Sequence, residues 1–197
     1  MTTAENIESY LEQFGVSYTR QSEEIWITGV RTEVSNFQIF IRLTEDWVFL
    51  FVNPLVVAPK NNPNLARFYF HALRYNQDMN LAKLGLDSDG DLFLIVEFPN
   101  ENFAFSHFQD AMNALAYHAS TIYLDLLLLG HRPEVVRGRY DTELAQTSNG
   151  QVTPPEDTES SDVLIAGRRL KITQDEDGQP RVELEDDDEE ETPPAQE

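Results

Sequence analysis

The 197-residue chain contains no cysteine. Disulfide bonds, thiolate metal sites and cysteine nucleophiles are therefore excluded. The same absence is compatible with the reducing cytoplasm, where disulfides are rare. We therefore expect a cytoplasmic protein with one domain of ordinary size, or a domain and a tail, that depends on an apolar core.

Basic residues are also scarce, since 14 Lys and Arg accompany 35 Asp and Glu, a formal net charge of −21. A chain this negative repels nucleic-acid phosphates and anionic lipid headgroups. We expect no nucleic-acid or membrane partner, and instead proteins with basic or apolar patches. Apolar runs such as residues 126–129 are far below the roughly 20 residues that span a bilayer. The N-terminus has no secretory signal pattern.

Catalytic motifs are missing too. No nucleophile elbow, phosphate loop or dinucleotide fingerprint occurs. His107 and His118 would lie about 16 Å apart on a helix and so do not share a metal ion. His71 and His131 have no Glu or His neighbour at metal-binding spacing. We predict hydrogen-bonded or solvated histidines, no catalytic residue, no cofactor and no metal site, and therefore a protein that is not an enzyme.

One segment is similar to the start of a calcium loop. Residues 87–91, Asp-Ser-Asp-Gly-Asp, place Asp at the first, third and fifth positions. The sixth position is Leu92 where the loop needs Gly, and the twelfth is Phe98 where it needs Glu. Asp, Ser and Gly also form tight turns, with Gly90 suited to a positive φ. The sequence favours a turn between two strands.

Apolar spacing and capping residues predict three helices. The first opens with a capping box at residues 2–5. The second follows Pro63 and ends near Asn76, and the third runs from about residue 105 to residue 129, with Gly130 as its C-cap.

β-branched and aromatic residues predict strands at residues 24–32, 37–44 and 47–57, with a tight turn at residues 45–46. A second hairpin surrounds residues 87–91. The order α-β-β-β-α-β-β-α predicts an α+β domain, in which three helices pack on a five-stranded antiparallel or mixed sheet.

The first three strands are predicted to be apolar on both faces. With a two-residue turn at residues 45–46, the period of two places Ile41 opposite Leu50 on one face, which is a normal core surface. A sheet covered on one side only is polar on the other, yet the other face is predicted to be aromatic. The predicted partner-binding residues on it are Trp26, Phe40, Trp47, Phe49 and Phe51.

An exposed aromatic surface of this density marks an interaction site. The second helix, a second subunit or a client peptide would each cover it, and the sequence leaves these three covers open. The alternative to peptide binding is a regulatory domain that binds a small ligand between the sheet and the helices.

The element order and two segments, residues 73–99 and a long helix that contains FQDAMNALAYHASTIYLDLL, resemble the YbjN family of bacterial proteins and the wider, CesT-like fold of type III secretion chaperones. In those families a helix with an Asn-containing end leads into a short strand, an Asp-Gly turn, an apolar strand and a final helix. The matching places here are Asn76, Asn80, the Asp89-Gly90 turn, residues 92–98 and residues 120–125. The resemblance covers about residues 1–131.

The resemblance implies a small, acidic, often dimeric protein without enzymatic activity, whose apolar surfaces hold an extended segment of a client. For this chain it implies an assembly chaperone or adaptor that forms a homodimer and has a client protein or peptide as its partner. The long acidic tail departs from typical secretion chaperones.

Residues 1–140 are predicted to form the chaperone-like domain, and residues 141–197 an acidic, largely disordered tail with a short apolar motif at residues 163–172. Residues 147–197 hold 16 Asp and Glu against 4 Lys and Arg, a net charge of −12, which leaves −9 for the first 146 residues. The tail is interpreted as a solubilising segment. Alternatively, its apolar motif docks a partner, or folds back onto the protein's own groove until a client displaces it.

Overall fold

The computed structural model describes residues 1–60 and 63–147, together with the backbone of residues 163–165, 168–174 and 180–186. Its helices are α1 (Ala4–Phe14), α2 (Leu65–Asp78), α3 (Phe105–His131) and α4 (Asp141–Thr147). Its strands are β1 (Tyr18–Arg20), β2 (Ile25–Arg31), β3 (Asn36–Leu43), β4 (Trp47–Val56), β5 (Lys83–Leu86), β6 (Leu92–Pro99), β7 (Val163–Ile165), β8 (Arg168–Gln174) and β9 (Pro180–Asp186).

Strands β1 to β6 form one antiparallel sheet in the order β1-β2-β3-β4-β6-β5. The predicted turn at residues 45–46 joins β3 to β4, and the Thr44 N–H donates to the Trp47 carbonyl at 2.8 Å. Ile41 pairs with Leu50, as the period of two predicts. The long strand β4 therefore lies in the middle of the sheet, between β3 and β6.

Helices α1, α2 and α3 cover one face of this sheet. Their apolar sides meet the alternate strand residues that point the same way, because strand side chains alternate between faces. Burial of this apolar surface stabilises the fold at about 25 cal/mol per Å². Fully buried members of the core include Ile7, Leu11, Trp26, Ile39, Ile41, Leu50, Phe68, Leu94, Phe108 and Leu115.

The antiparallel α+β architecture is confirmed, but the predicted counts of five strands and three helices are wrong. The main sheet has six strands, and four helices lie in the described part of the chain. Strand β1 is only three residues long, too short to show a period of two. Helix α4 is seven residues long and follows Gly138 closely, so it shows no helical apolar stripe.

Two predicted helix ends also differ from the structure. The N-cap of α1 is Thr3, paired with Asn6 in a capping box, because Thr2 is buried and donates its N–H to Asn100 Oδ1 at 2.7 Å. Helix α3 continues through Gly130, where an added Cβ would lie 3.4 Å from the ring of Phe68. Gly130 therefore serves close packing between helices, and the helix does not end there.

Strands β7, β8 and β9 form a second, three-stranded antiparallel sheet. Strand β7 and the first five residues of β8, residues 168–172, fall within the predicted apolar motif at residues 163–172. The domain boundary at residue 140 and the largely disordered tail at residues 141–197 stay predictions, and residues 148–162, 166–167, 175–179 and 187–197 of that tail lie outside the described residues.

Candidate functional site

The face of the main sheet that turns away from the helices is aromatic. Phe40 of β3 pairs with Phe51 of β4, and their rings stack with centroids 5.4 Å apart. Next to them, Trp47 and Phe49 have ring centroids 6.4 Å apart. Ile27 of β2 lies beside Phe40, and β6 extends the surface on the other side. The aromatic face consists of Ile27, Phe40, Trp47, Phe49, Phe51, Phe93 and Ile95, of which Trp47 is exposed and the others half-buried.

A depression of about 280 Å³ opens in the aromatic face. Phe93 of β6 lies over Gly85 of β5, where the ring would overlap an added Cβ. Gly85 thus allows the phenyl ring to approach the sheet backbone. The depression is lined by Arg42, Phe49, Phe51, Asn53, Asp87, Phe93 and Ile95.

Two polar side chains accompany these rings. Arg42 is exposed and lies across from Phe49 in the strand pair. The Oδ1 atom of Asn53 is buried and has no hydrogen-bond partner among the described residues. A buried acceptor without a donor is unfavourable. The depression therefore places the guanidinium group of Arg42 beside an apolar floor.

Four of the five predicted partner-binding residues lie on this face, and the placement of Trp26 is wrong. Trp26 pairs with Ile41 on the helix-covered side. It is fully buried, and its indole N–H donates to Glu8 Oε1 at 3.1 Å. The β2–β3 connection has no recognisable two-residue turn, so the sequence could not set which β2 residues share a face with Phe40.

The sequence also missed Ile27, Phe93 and Ile95 as part of the aromatic face, and Asn53 as part of the depression. The signal for two of them was present, because Leu92–Pro99 is apolar at nearly every position and so has an apolar residue on both sides of the strand. No sequence signal marks Asn53, which reaches the depression where the pairing of β4 with β6 shifts register.

The second helix does not cover the aromatic face. Of the three covers considered for this face, the second helix is therefore excluded, and a second subunit and a client peptide remain. Helix α2 buries Phe68, Ala72 and Tyr75 in the core on the opposite side of the sheet. The lining of the depression comes from strand residues and from Asp87 in the β5–β6 turn. Within residues 1–60 and 63–147, no helix packs on these rings, of which Trp47 is exposed and the others are half-buried.

The segment at residues 87–91 is a hairpin turn, as predicted. Gly90 has φ +84°. The Asp87 side chain accepts the N–H groups of Asp89 and Asp91 at 2.9 Å each, and Asp91 Oδ1 accepts the Ala58 N–H at 2.8 Å. These carboxylates stabilise the turn backbone. No metal-binding group of three His, Asp or Glu side chains is found among the described residues.

All four histidines make hydrogen bonds, as predicted. His107 Nδ1 accepts the Ala104 N–H at 3.1 Å. His118 and His131 lie within 3.0 Å and 3.1 Å of backbone carbonyl oxygens. His71 is fully buried, and its Nδ1 accepts the Tyr140 N–H at 3.4 Å, so its Nε2–H donates to Asp141 at 3.1 Å.

A buried ion pair holds the segment after α3 against α2. Arg67 donates from Nε and Nη2 to the two carboxylate oxygens of Asp141, each at 2.7 Å. Burial alone would raise the pKa of Asp141, but the hydrogen bonds from Arg67 and His71 outweigh it and hold that pKa below its usual range. We call this pair the Arg67–Asp141 clasp. Both side chains of the clasp are buried and hydrogen-bonded to each other, which is typical of residues with a structural role.

Two further hydrogen bonds fix helix α2, one to α3 and one to the segment that precedes α4. The Tyr75 hydroxyl donates to Asp125 Oδ2 at 2.5 Å, and the Tyr140 hydroxyl donates to Asp78 Oδ2 at 2.7 Å. Burial raises the pKa of Tyr75, Tyr140 and Asp125. Each hydroxyl therefore keeps its proton near neutral pH and remains a hydrogen-bond donor.

No family model and no curated protein matches the chain. Several solved structures are similar to it. The complex ExoU-SpcU from the type III secretion system of Pseudomonas aeruginosa has 17% identity and a TM-score of 0.46, covering 64% of this chain and 98% of that chain. The Yersinia pestis type III secretion chaperone SycH, in complex with a stable fragment of YscM2, has 13% identity and a TM-score of 0.41, covering 61% and 98%.

The crystal structure of YbjN from E. coli has 10% identity and a TM-score of 0.45, and covers 65% of this chain and 91% of that chain. The structural neighbours thus include type III secretion chaperones and YbjN, the two groups that the sequence resembles. In the described residues, no helix has the length and apolar character needed to cross a membrane.

Proposed function

We propose that the chain is a non-enzymatic protein-binding module, an assembly chaperone or adaptor that holds an extended segment of a client protein on the aromatic face. The observation that carries this proposal is that the helices leave this face open in residues 1–60 and 63–147. Trp47 keeps 42% of its surface exposed. Covering such rings is favourable at about 25 cal/mol per Å², and aromatic residues anchor interfaces.

The chemistry of the face indicates what kind of segment fits. The stacked pair Phe40 and Phe51 offers a flat apolar platform, on which alternate side chains of an extended chain pack. Arg42 pairs with a client carboxylate or carbonyl oxygen. We therefore expect a client segment in which apolar residues alternate with polar ones.

The test is a double substitution on the face, Phe40→Asp/Phe49→Asp. It places two carboxylates in an apolar contact area, so the variant is expected to lose the client that the unaltered chain recovers from the native cell. The matched control is Gln109→Asp/Asn113→Asp, which adds the same charge at exposed positions of α3. The proposal is wrong if the face variant has an unchanged circular dichroism spectrum and still recovers every partner.

We also propose that the module is a homodimer. The helical side of the domain exposes two large apolar residues, Leu73 of α2 and Tyr117 of α3, at 70% and 65%. Both residues lie away from the aromatic face. A second subunit that binds at Leu73 and Tyr117 therefore leaves the aromatic face free for a client. Sedimentation equilibrium measures this directly, and Leu73→Asp/Tyr117→Asp is expected to give a monomer. A wild-type monomer over a wide concentration range would contradict it.

The alternative of a small ligand between sheet and helices finds less support. That layer is filled by the core, in which Ile39, Leu50, Leu94 and Leu115 are fully buried. The depression lies on the other side of the sheet. A ligand that raises the melting temperature of the Phe40→Asp/Phe49→Asp variant as much as that of the wild type would favour the alternative.

A further inference from the structure

The three C-terminal strands form a small sheet with a definite register, which we call the C-terminal meander (β7, β8 and β9). Leu170 pairs with Val163 on one side and with Leu184 on the other. Ile172 pairs with Val182. Since directly paired residues share a face of a sheet, these apolar residues occupy a single face.

The other face of the C-terminal meander is charged. Arg169 pairs with Glu185, and Lys171 pairs with Glu183, so opposite charges are placed across from each other. A sheet with one apolar and one charged face is the pattern of a sheet that is covered on one side. An isolated sheet of this size needs its apolar face packed against another element. The apolar residues on that face are Val163, Ile165, Leu170, Ile172, Val182 and Leu184, and the oppositely charged pair Arg168–Asp186 lies at its end.

We propose that the C-terminal meander packs its apolar face on the aromatic face of the same chain and that a client segment displaces it. This inference rests on the proposed function, because it regulates the same site. The two surfaces match in form. The aromatic face is centred on three adjacent strands, β3, β4 and β6, and three meander strands cover an equal width. Sheets packed in this way interdigitate their side chains at a separation of about 10 Å.

The segment that connects α4 to β7 is long enough for the C-terminal meander to reach the aromatic face. Helix α4 ends at Thr147 and β7 begins at Val163, so 15 residues lie between them. Fully extended, they span about 50 Å, whereas a domain of this length is about 40 Å across. The Arg67–Asp141 clasp holds the start of this connection on the domain, which keeps the meander at a high local concentration.

The two tryptophans allow a direct test in the full-length chain. Trp26 is fully buried, so acrylamide quenching reports on Trp47 of the aromatic face. The substitution Leu170→Asp/Leu184→Asp places charges on the apolar face of the meander. Because it removes two leucines from the contact, the equilibrium constant for covering is expected to fall by at least about a hundredfold. Trp47 is then quenched more strongly than in the wild-type chain.

The matched control is Leu164→Asp/Thr173→Asp. These positions pair with Arg169 and Arg181 on the charged face, so the new carboxylates lie across from arginines, and quenching is expected to stay at the wild-type level. Equal quenching of Trp47 in all three chains overturns the proposal. Protection that increases with protein concentration also overturns it, because the cover would then come from a second copy.

A cysteine pair supplies a second measurement that does not depend on disrupting the meander. The chain has no cysteine, so Gln38→Cys on the aromatic side of β3 and Gln174→Cys on the apolar side of β8 form the only thiol pair. An intramolecular disulfide under mild oxidation supports the cover, and its absence counts against it. Client loss in Phe40→Asp/Phe49→Asp tests the proposed function separately, so the two proposals fail independently.

Discussion

The Arg67–Asp141 clasp leads to a quantitative prediction about stability. Asp141→Asn removes the negative charge and leaves the guanidinium of Arg67 buried at 3% exposure. Breaking a buried pair by removing one partner typically costs about 3–5 kcal/mol. Here Arg67 keeps its bonds to the carbonyl oxygens of Pro133 and Val136, at 2.9 and 2.7 Å. We therefore expect the low end of that range, about 3 kcal/mol.

Urea unfolding followed by tryptophan fluorescence at pH 7 measures this loss. The matched control is Glu143→Gln, which removes the carboxylate of the exposed pair Arg74–Glu143, whose atoms are 2.6 Å apart. Such surface pairs contribute between zero and about 1 kcal/mol. A loss for Asp141→Asn no larger than the loss for Glu143→Gln would refute the view that the clasp anchors the segment after α3.

The pH dependence of the same variant follows from the direction of the pKa shift. The pKa of Asp141 is lower in the folded chain than in the unfolded one. Its contribution is therefore fully present above the unfolded pKa of about 3.9 and is lost as the pH falls toward the folded pKa. The difference in unfolding free energy between wild type and Asp141→Asn is expected to be constant from neutral pH to about pH 5 and to shrink below pH 4. A difference that grows on acidification would contradict this assignment.

Gly90→Ala is expected to destabilise the β5–β6 turn by about 1 kcal/mol in urea unfolding, because φ is +84° there; an unchanged midpoint would contradict it. Added calcium is expected to leave the melting temperature unchanged, since Asp87 and Asp91 accept backbone N–H groups; a concentration-dependent rise would contradict it. Added salt is expected to lower the acrylamide quenching of Trp47. Residues 1–146 and 147–197 carry net charges of −9 and −12, and salt screens the repulsion that opposes packing of the C-terminal meander on the aromatic face. A salt-induced increase in quenching would contradict this expectation.

Local patterns in the sequence predicted most elements of the main sheet. The turn at residues 45–46 and the pairing of Ile41 with Leu50 followed from turn length and the period of two. Together they placed Phe40, Phe49 and Phe51 on one face without any tertiary information. The hairpin at residues 87–91 followed in the same way from turn residues.

The errors concern features that depend on contacts between distant residues. Trp26 was placed on the wrong face because its side is set by pairing with Ile41, 15 positions away. Helix α4 is held by the Arg67–Asp141 clasp, whose two residues are 74 positions apart in the sequence. No local sequence pattern indicates such a pair. Asn53 reaches the depression through a register shift between β4 and β6, which is likewise non-local.

The sequence by itself determined that the sheet is apolar on both sides, because alternation along a strand is a property of neighbouring residues. Only the tertiary structure decided that the helices pack on one side and leave Phe40, Phe49 and Phe51 open. That choice depends on where the helix axes lie relative to the sheet, and it is made by burial of side chains far apart in the chain. The chain therefore encodes an apolar surface locally, while its availability to a partner is a property of the folded domain.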